Sequence, residues 1–213
     1  MAPAAITGLI LAGGRGSRMG HIDKGLQSFR SLPLVAHAIA RLAPQVGPLA
    51  ININRNQALY ASFGLPLWPD LLPDFAGPLA GLQSGLSRCA TPYLLTVPCD
   101  CPFLPLDLAA RLAAALQAAD ADLSLAVTDS DDNDDNDDSG GDKHNGRRQR
   151  HPVFCLLKTA LLPHLNDYLR DGGRKMESWM ATQAMVDVHF DDRAAFSNIN
   201  TLQQLQQLEQ RSL

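Results

Sequence analysis

The sequence predicts one α/β domain in which a single doubly wound, mostly parallel sheet carries helices on both faces. Three observations indicate this fold. Short apolar runs alternate along the chain with segments of helical period. The first of these runs ends at a glycine pair, which is typical of a buried parallel strand that leads into a turn. Finally, 46% of the 213 residues are hydrophobic, and no Pro/Gly/Ser-rich linker divides the chain.

Six continuous apolar runs are predicted as strands. They comprise residues 6–11, 49–54, 93–98, 121–127, 152–158 and 185–190. Four helical patterns lie between the strands, and they comprise residues 33–44, 77–90, 105–119 and 159–173. A last helix is predicted from Thr201, whose side chain is a candidate N-cap. In a doubly wound sheet, ligands bind beyond the carboxyl ends of the strands, so functional residues are expected there.

One segment interrupts this alternation. Residues 129–150 are polar and of low complexity, and they contain eight aspartates but no apolar anchor. We therefore predict a single domain over residues 1–213 with a disordered acidic insertion at 129–150. Part of this insertion resembles an EF-hand loop, but Gly146 stands where the bidentate glutamate is needed, so no calcium site is expected.

Composition excludes several classes of function. The formal net charge is −4 and would be +4 without those eight aspartates, so nothing resembles the dense basic surface of a nucleic-acid binder. The four cysteines form no C-x-x-C pair, and their apolar surroundings predict buried, reduced thiols in a cytoplasmic protein. The N-terminal segment has neither the basic start of a signal peptide nor an apolar run of membrane-spanning length, so no membrane association is expected.

The strongest functional pattern is LAGGRGSRMGHIDKG at residues 11–25. Its glycines let backbone N–H groups approach phosphate oxygens, and Arg15, Arg18 and Lys24 supply positive charge for a triphosphate. It is not a dinucleotide-binding G-x-G-x-x-G motif, because Met19 occupies the last glycine position, and the chain has no Gly-Lys pair for a Walker loop. A bare glycine pair often serves only a tight turn, but three nearby cations favour phosphate binding.

Polar side chains also follow other predicted strands. Asp100 comes just after the run 93–98, at the carboxyl edge of the sheet. Mg²⁺ prefers one or two carboxylates together with phosphate oxygens, so Asp100 is the predicted magnesium ligand. The structural alternative is that Asp100 caps the next helix, but the predicted start of that helix at Pro105 is too far along the chain. Asn52 and Asp70 lie where the base or the ribose of a nucleotide is expected, although each could instead form a turn.

The pattern L-A-G-G-x-x-x-R-M-G-x-x-D-K, from Leu11 to Lys24, resembles the signature of nucleoside triphosphate transferases, in particular of the molybdenum cofactor guanylyltransferases. HPVFCLL at 151–157 and FSNINT at 196–201 are similar to further motifs of that family. The resemblance implies a Rossmann-like nucleotidyltransferase fold. It also implies a magnesium-dependent transfer of GMP from GTP to the phosphate of molybdopterin, or of Mo-molybdopterin, with release of pyrophosphate.

The resemblance further implies roles for individual residues. Arg18, Lys24 and Asp100 would be catalytic, and Asp100 would be the ligand of Mg²⁺. GTP would be bound by Leu11, Ala12, Gly13, Gly14, Lys24, Asn52, Asp70 and Asp100. Asn198 and Asn200 would lie on the acceptor side, near the pterin or its phosphate.

Alternatives remain open at this point. The opening motif is also compatible with a cytidylyltransferase that acts on molybdopterin or on another small phosphate acceptor. A pterin carrier without activity would keep the same fold, although the combination of Arg18, Lys24 and Asp100 argues against it. The implied partners are GTP and molybdopterin, with transient contacts to molybdenum cofactor biosynthesis proteins or molybdoenzyme chaperones, and the chain is expected to be a monomer. Arg15 departs from the family pattern, which often has lysine there.

Overall fold

The computed structural model describes residues 1–14, 23–71, 77–130, 148–199 and residue 204. The strands in these ranges are β1 (Ile6–Leu11), β2 (Ser28–Phe29), β3 (Leu32–Pro33), β4 (Leu49–Asn52), β5 (Leu67–Trp68), β6 (Tyr93–Pro98), β7 (Leu123–Asp129), β8 (Arg148–Lys158) and β9 (Met185–His189). The α-helices are α1 (Leu34–Leu42), α2 (Gln57–Ala61), α3 (Pro78–Arg88), α4 (Leu108–Ala118), α5 (Leu162–Arg170) and α6 (Met176–Met180).

Seven strands form one sheet in the order β5-β4-β1-β6-β8-β7-β9. The pairs β5-β4, β4-β1, β1-β6 and β7-β9 are parallel. Only β8 runs in the opposite direction within this sheet, since it is antiparallel to both β6 and β7. The predicted mostly parallel sheet is therefore confirmed, with one reversed strand among the described residues.

Helices cover both faces of the sheet, as predicted. In β1, Ile6 and Ile10 belong to the core that contains the apolar side chains of α1 and α4. Leu9 belongs to the opposite core, which is formed with α3, α5 and α6. Because side chains alternate between the two faces of a strand, a strand buried on both faces is mostly apolar along its whole length. This is why the strands are visible in the sequence as continuous apolar runs.

Helix α4 begins three residues later than predicted. The prediction placed its start at Pro105, but the helix begins at Leu108 with Asp107 at the N-cap position. The carbonyl of Pro105 accepts a hydrogen bond from Gln45 Nε2 at 2.9 Å, so this residue is tied to a neighbouring segment. The start was wrong because tertiary contacts order the residues before the helix as a turn.

The strands also extend into the segment 129–150. Asp129 ends β7, and it pairs with Arg148 at the start of β8. The prediction of disorder was therefore wrong at both ends of this segment, because backbone pairing can order charged residues whose side chains remain exposed. Residues 131–147 lie outside the described residues, and so does the helix predicted from Thr201.

Two further expectations concern thiols and membranes. Cys89, Cys99, Cys101 and Cys155 all carry free thiols, and all except Cys89 are buried. In the part of the chain that the structure describes, every helix is too short or too polar to cross a lipid bilayer.

Candidate active site

A pocket of about 360 Å³ opens at the carboxyl ends of β1, β4 and β6. All eight residues predicted to bind nucleotide line this pocket. The predicted acceptor residue Asn198 lines it too, as do Asp23, Arg55 and Cys99. Because parallel strands end at the same edge of a sheet, residues from distant parts of the chain meet there. Arg15, Arg18 and Asn200 lie outside the described residues.

The glycine turn after β1 packs against the side chain of Asn52. A Cβ atom at Gly13 would lie 2.8 Å from Asn52 Oδ1 and 2.7 Å from Asn54 Nδ2, so only glycine allows this close approach. Gly81 in α3 has the same constraint, since a Cβ atom there would lie 2.6 Å from Asn52 Oδ1. The N–H group of Ala12 donates to the Asn52 carbonyl at 2.9 Å. Asn52 is therefore held between the turn and α3.

Two asparagine side chains position Asp70. Asn52 Nδ2 donates to Asp70 Oδ1 at 2.8 Å, and Asn54 Nδ2 donates to Asp70 Oδ2 at 2.7 Å. The N–H group of Asp70 in turn donates to Asn54 Oδ1 at 3.0 Å. Each carboxylate oxygen can accept more than one hydrogen bond. Asp70 is thus fixed in orientation while it keeps the capacity to accept hydrogen bonds from a ligand.

Lys24 and Asp100 form an ion pair, with 3.3 Å between Lys24 Nζ and Asp100 Oδ2. Burial raises the pKa of the Asp100 carboxyl, and the nearby positive charge of Lys24 opposes this rise. Asp100 does not cap α4, because Asp107 occupies that position. The pair places one positive and one negative group on the wall of the pocket.

The donor set around Asp100 suits a magnesium ion that arrives with a nucleotide. Among the described residues, no group of three or more His, Cys, Asp or Glu side chains converges as a preformed metal site. Mg²⁺ needs only one or two carboxylates when phosphate oxygens and water supply its remaining ligands. The buried Asp100 carboxylate fits this role, because a divalent cation would favour its ionised form despite burial.

Asp23 organises a part of the site that was not predicted. Tyr60 donates its hydroxyl to Asp23 Oδ1 at 2.7 Å, and Asn56 Nδ2 donates to Asp23 Oδ2 at 2.9 Å. Arg55 Nε lies 3.8 Å from the same Oδ2 atom. Burial raises the pKa of Tyr60, with a further contribution from Cys99, so the hydroxyl remains a donor. The available sequence signals were the aspartate before Lys24 and the polar triplet Asn54–Asn56 after β4.

Segment 196–199 borders the opposite end of the pocket. The N–H group of Ile199 donates to the Asp100 carbonyl at 3.0 Å, and the Cys101 thiol donates to Asn198 Oδ1 at 2.7 Å. Strand β6, which leads to Asp100, lies between β1 and β8, and Phe196 packs against His151 and Phe154 of β8. The structure therefore brings Asn198 to the pocket on the side away from Asp70.

Comparison with known proteins identifies the family. Residues 8–188 match the family model described as "MobA-like NTP transferase domain". The chain is 56% identical over 203 residues to the molybdenum cofactor guanylyltransferase of Bordetella petrii, which covers 95% of this chain and 96% of the relative. It is also 56% identical over 206 residues to the molybdenum cofactor guanylyltransferase of Ralstonia nicotianae, with 97% of each chain covered.

Two solved structures have the same fold. Molybdopterin-guanine dinucleotide biosynthesis protein A from Archaeoglobus fulgidus is 17% identical with a TM-score of 0.72, over 97% of this chain and 98% of that chain. The 4-diphosphocytidyl-2C-methyl-D-erythritol synthase from Anaerococcus prevotii is 12% identical with a TM-score of 0.77, over 99% of each. These likenesses support the fold alone. The family match and the two relatives of similar length show that the chain belongs to the MobA-like nucleoside triphosphate transferases, among the molybdenum cofactor guanylyltransferases.

Proposed function

We propose that the chain transfers GMP from GTP to the phosphate of molybdopterin, or of Mo-molybdopterin, and releases pyrophosphate. The observation that carries this proposal is the convergence of the glycine turn, the Lys24–Asp100 pair and the Asn52–Asp70 pair on one pocket in a member of this family. The acceptor phosphate supplies its own nucleophilic oxygen. Cys99 also lines the pocket, but burial raises the pKa of its thiol, which makes it a poor nucleophile.

We propose that the nucleotide binds on the side of the pocket formed by β1, β4 and β5. The backbone from Leu11 to Gly14 would hold its sugar and phosphates. The carboxylate of Asp70 would accept hydrogen bonds from guanine N1–H and the 2-amino group, or from the ribose hydroxyls. Cytosine offers no such adjacent pair of donors, so a carboxylate fixed by Asn52 and Asn54 favours guanine if it contacts the base.

In the proposed reaction, an oxygen of the acceptor phosphate attacks the α-phosphorus of GTP in line. The bond between that phosphorus and the oxygen bridging to the β-phosphate breaks, and pyrophosphate leaves. Lys24, with Arg15 and Arg18 of the same motif, would neutralise the charge on the leaving group. Asp100 would hold Mg²⁺, which supplies charge neutralisation across the phosphates when it is bound.

The acceptor would bind on the other side of Asp100, near Asn198 and Asn200. We also propose that the chain acts as a monomer in the cytoplasm. Transient contacts with molybdenum cofactor biosynthesis proteins or molybdoenzyme chaperones would deliver the pterin and collect the product.

A direct test incubates the purified chain with Mg²⁺, molybdopterin and equal amounts of GTP and CTP, and measures the pterin product by mass and the released pyrophosphate. We expect the GMP adduct with one pyrophosphate per product. Inosine triphosphate, which lacks the 2-amino group, and 2′-deoxy-GTP then separate a base contact of Asp70 from a ribose contact. A CMP adduct would establish the cytidylyl alternative, and pterin binding without pyrophosphate release would establish a carrier.

A further inference from the structure

The side chain of Asn198 is exposed to the pocket, although the chain on either side of it is anchored. Phe196 is 3% exposed and belongs to the main core, and Ile199 is 2% exposed and packs in a cluster with Phe29. The backbone at Asn198 is therefore held in place. An exposed asparagine would otherwise be free to rotate about its side-chain bonds.

A hydrogen bond from the buried thiol of Cys101 restricts this rotation. The sulfur of Cys101, which is fully buried, lies 2.7 Å from Asn198 Oδ1. A carboxamide oxygen can only accept a hydrogen bond, so the S–H group must be the donor. With Oδ1 directed at Cys101, the Nδ2 group lies on the opposite side of the planar carboxamide. None of the hydrogen bonds between described residues uses Asn198 Nδ2, and Asn198 lines the pocket.

The loop that carries Cys101 also carries Asp100. The Asp100 carbonyl accepts the N–H group of Ile199 at 3.0 Å. The Cys101 sulfur lies 2.7 Å from Asn198 Oδ1 and, more distantly, 3.8 Å from the Phe196 carbonyl oxygen, so both residues of this loop contact segment 196–199. In the proposed reaction, the acceptor phosphate lies next to the α-phosphate of GTP, near the Mg²⁺ that Asp100 would hold, since in-line attack requires the two phosphates to be adjacent. Donors on Asn198 are thus close to the place where that phosphate has to be held.

We propose that Cys101 is a positioning residue, which fixes the Asn198 carboxamide with its two N–H groups toward the pocket so that they bind an oxygen of the molybdopterin phosphate. The inference rests on the function proposed above, because that function assigns Asn198 to the acceptor side. It adds a residue that is not among those lining the pocket and that would act on the acceptor through Asn198.

A double-mutant cycle tests this role. The variants are Cys101→Ala, Cys101→Ser, Asn198→Ala and the double variant Cys101→Ala with Asn198→Ala, each with kcat and KM measured for molybdopterin and for GTP. Loss of one neutral hydrogen bond should raise the KM for molybdopterin about two- to tenfold in Cys101→Ala and leave the KM for GTP unchanged. Cys101→Ser keeps a donor and should restore the wild-type value. In the Asn198→Ala background, Cys101→Ala should have no further effect.

Two outcomes of the cycle would overturn the proposal. One is an equal rise in the KM for molybdopterin in both backgrounds, and the other is a Cys101→Ser variant that behaves like Cys101→Ala. Either result would mean that Cys101 serves packing alone. Thermal unfolding of every variant checks that the fold is kept.

A second measurement does not depend on turnover. The side-chain N–H₂ resonances of Asn198 report its mobility by NMR relaxation in the protein without substrate. Mobility should increase in Cys101→Ala and return to the wild-type level in Cys101→Ser, and an unchanged mobility would refute the positioning role. If the wild-type protein forms no GMP adduct, the proposed function fails, while the NMR comparison still decides whether Cys101 orients Asn198.

Discussion

The strands on the two sides of Asp100 bring side chains to the pocket in different ways. On one side, β5, β4, β1 and β6 are all parallel, and Asn52 at the end of β4 donates a hydrogen bond to Asp70, which follows β5. On the other side, β8 is reversed, and Asn198 comes from a segment that follows β9. Strand direction alone gathers the first group. The second group depends on packing between segments that are far apart in the chain.

An aromatic cluster provides that packing. The rings of His151 and Phe196 are stacked with 4.8 Å between their centroids, and Phe154 and Phe190 meet Phe196 at 4.9 Å and 5.1 Å. Burial lowers the pKa of His151, and the positive charge of Arg193 lowers it further. The imidazole is therefore neutral near pH 7 and serves as a packing group, with a hydrogen bond to Thr128 Oγ1 at 2.9 Å. Stacking and edge contacts of these rings thus help to hold the segment before Asn198.

The largest effect is expected at Asp100, where the two sides meet. Asp100→Asn keeps the shape of the side chain but removes the charge that would hold Mg²⁺, so kcat should fall by about 10³-fold or more. Steady-state kinetics with both substrates measures this loss. Asp107→Asn, at an exposed carboxylate before α4, is the matched control and should retain full activity. Wild-type turnover in Asp100→Asn would refute the metal role.

The same variant makes a prediction about stability. Because burial raises the pKa of Asp100, the folded protein binds this proton more tightly than the unfolded chain does. The resulting stabilisation is fully present below the ordinary pKa of 3.8 and is lost as the pH rises through the folded value. At pH 7 and without metal, Asp100→Asn should therefore have a Tm no lower than that of the wild type. A clear fall in Tm would contradict the burial argument.

The contrast between the two sides also explains what the sequence allows one to predict. The apolar runs located the glycine turn after β1 and the polar residues that follow β4 and β6, since parallel strands end at one edge of the sheet. The hydrogen bond between Tyr60 and Asp23 spans 37 residues, and that between Cys101 and Asn198 spans 97. No local pattern encodes such contacts, because they depend on how distant segments pack. Only the resemblance to a family indicated Asn198.

A smaller effect is expected from a substitution that disturbs only the nucleotide side of the pocket. In Gly81→Ala the new Cβ atom would lie 2.6 Å from Asn52 Oδ1, so Asn52 must move and weaken its bond to Asp70. Loss of one such hydrogen bond corresponds to about tenfold weaker GTP binding. Calorimetric titration with GTP measures it, and the KM for molybdopterin should stay unchanged.

Gly85→Ala, one turn further along α3, is the control for this variant. Its Cβ atom would lie 2.5 Å from Leu9 Cδ2 and 2.9 Å from Leu94 Cδ2, so the strain falls on the core. Gly85→Ala should therefore lower the Tm and leave GTP affinity intact. Equal losses of GTP affinity in the two variants would mean that α3 affects the site through general destabilisation rather than through Asn52.

The smallest effect is expected at the outer strands, far from the nucleotide side. Arg150 on β8 reaches across β7 to Asp187 on β9, with 2.9 Å between Arg150 Nη2 and Asp187 Oδ2. The Arg150 side chain is 50% exposed, so water and salt screen the pair, and Arg150→Ala should lower the free energy of unfolding by only about 0.5 kcal/mol. Urea denaturation at low and at high NaCl should show that the loss shrinks as salt rises, with Arg148→Ala as the control on the same strand. The same variant separates the outer strands from the acceptor side. Kinetic constants for both substrates should not change in Arg150→Ala, because the aromatic cluster rather than this ion pair holds the segment that carries Asn198. A raised KM for molybdopterin would instead mean that the outer strands help to position the acceptor side.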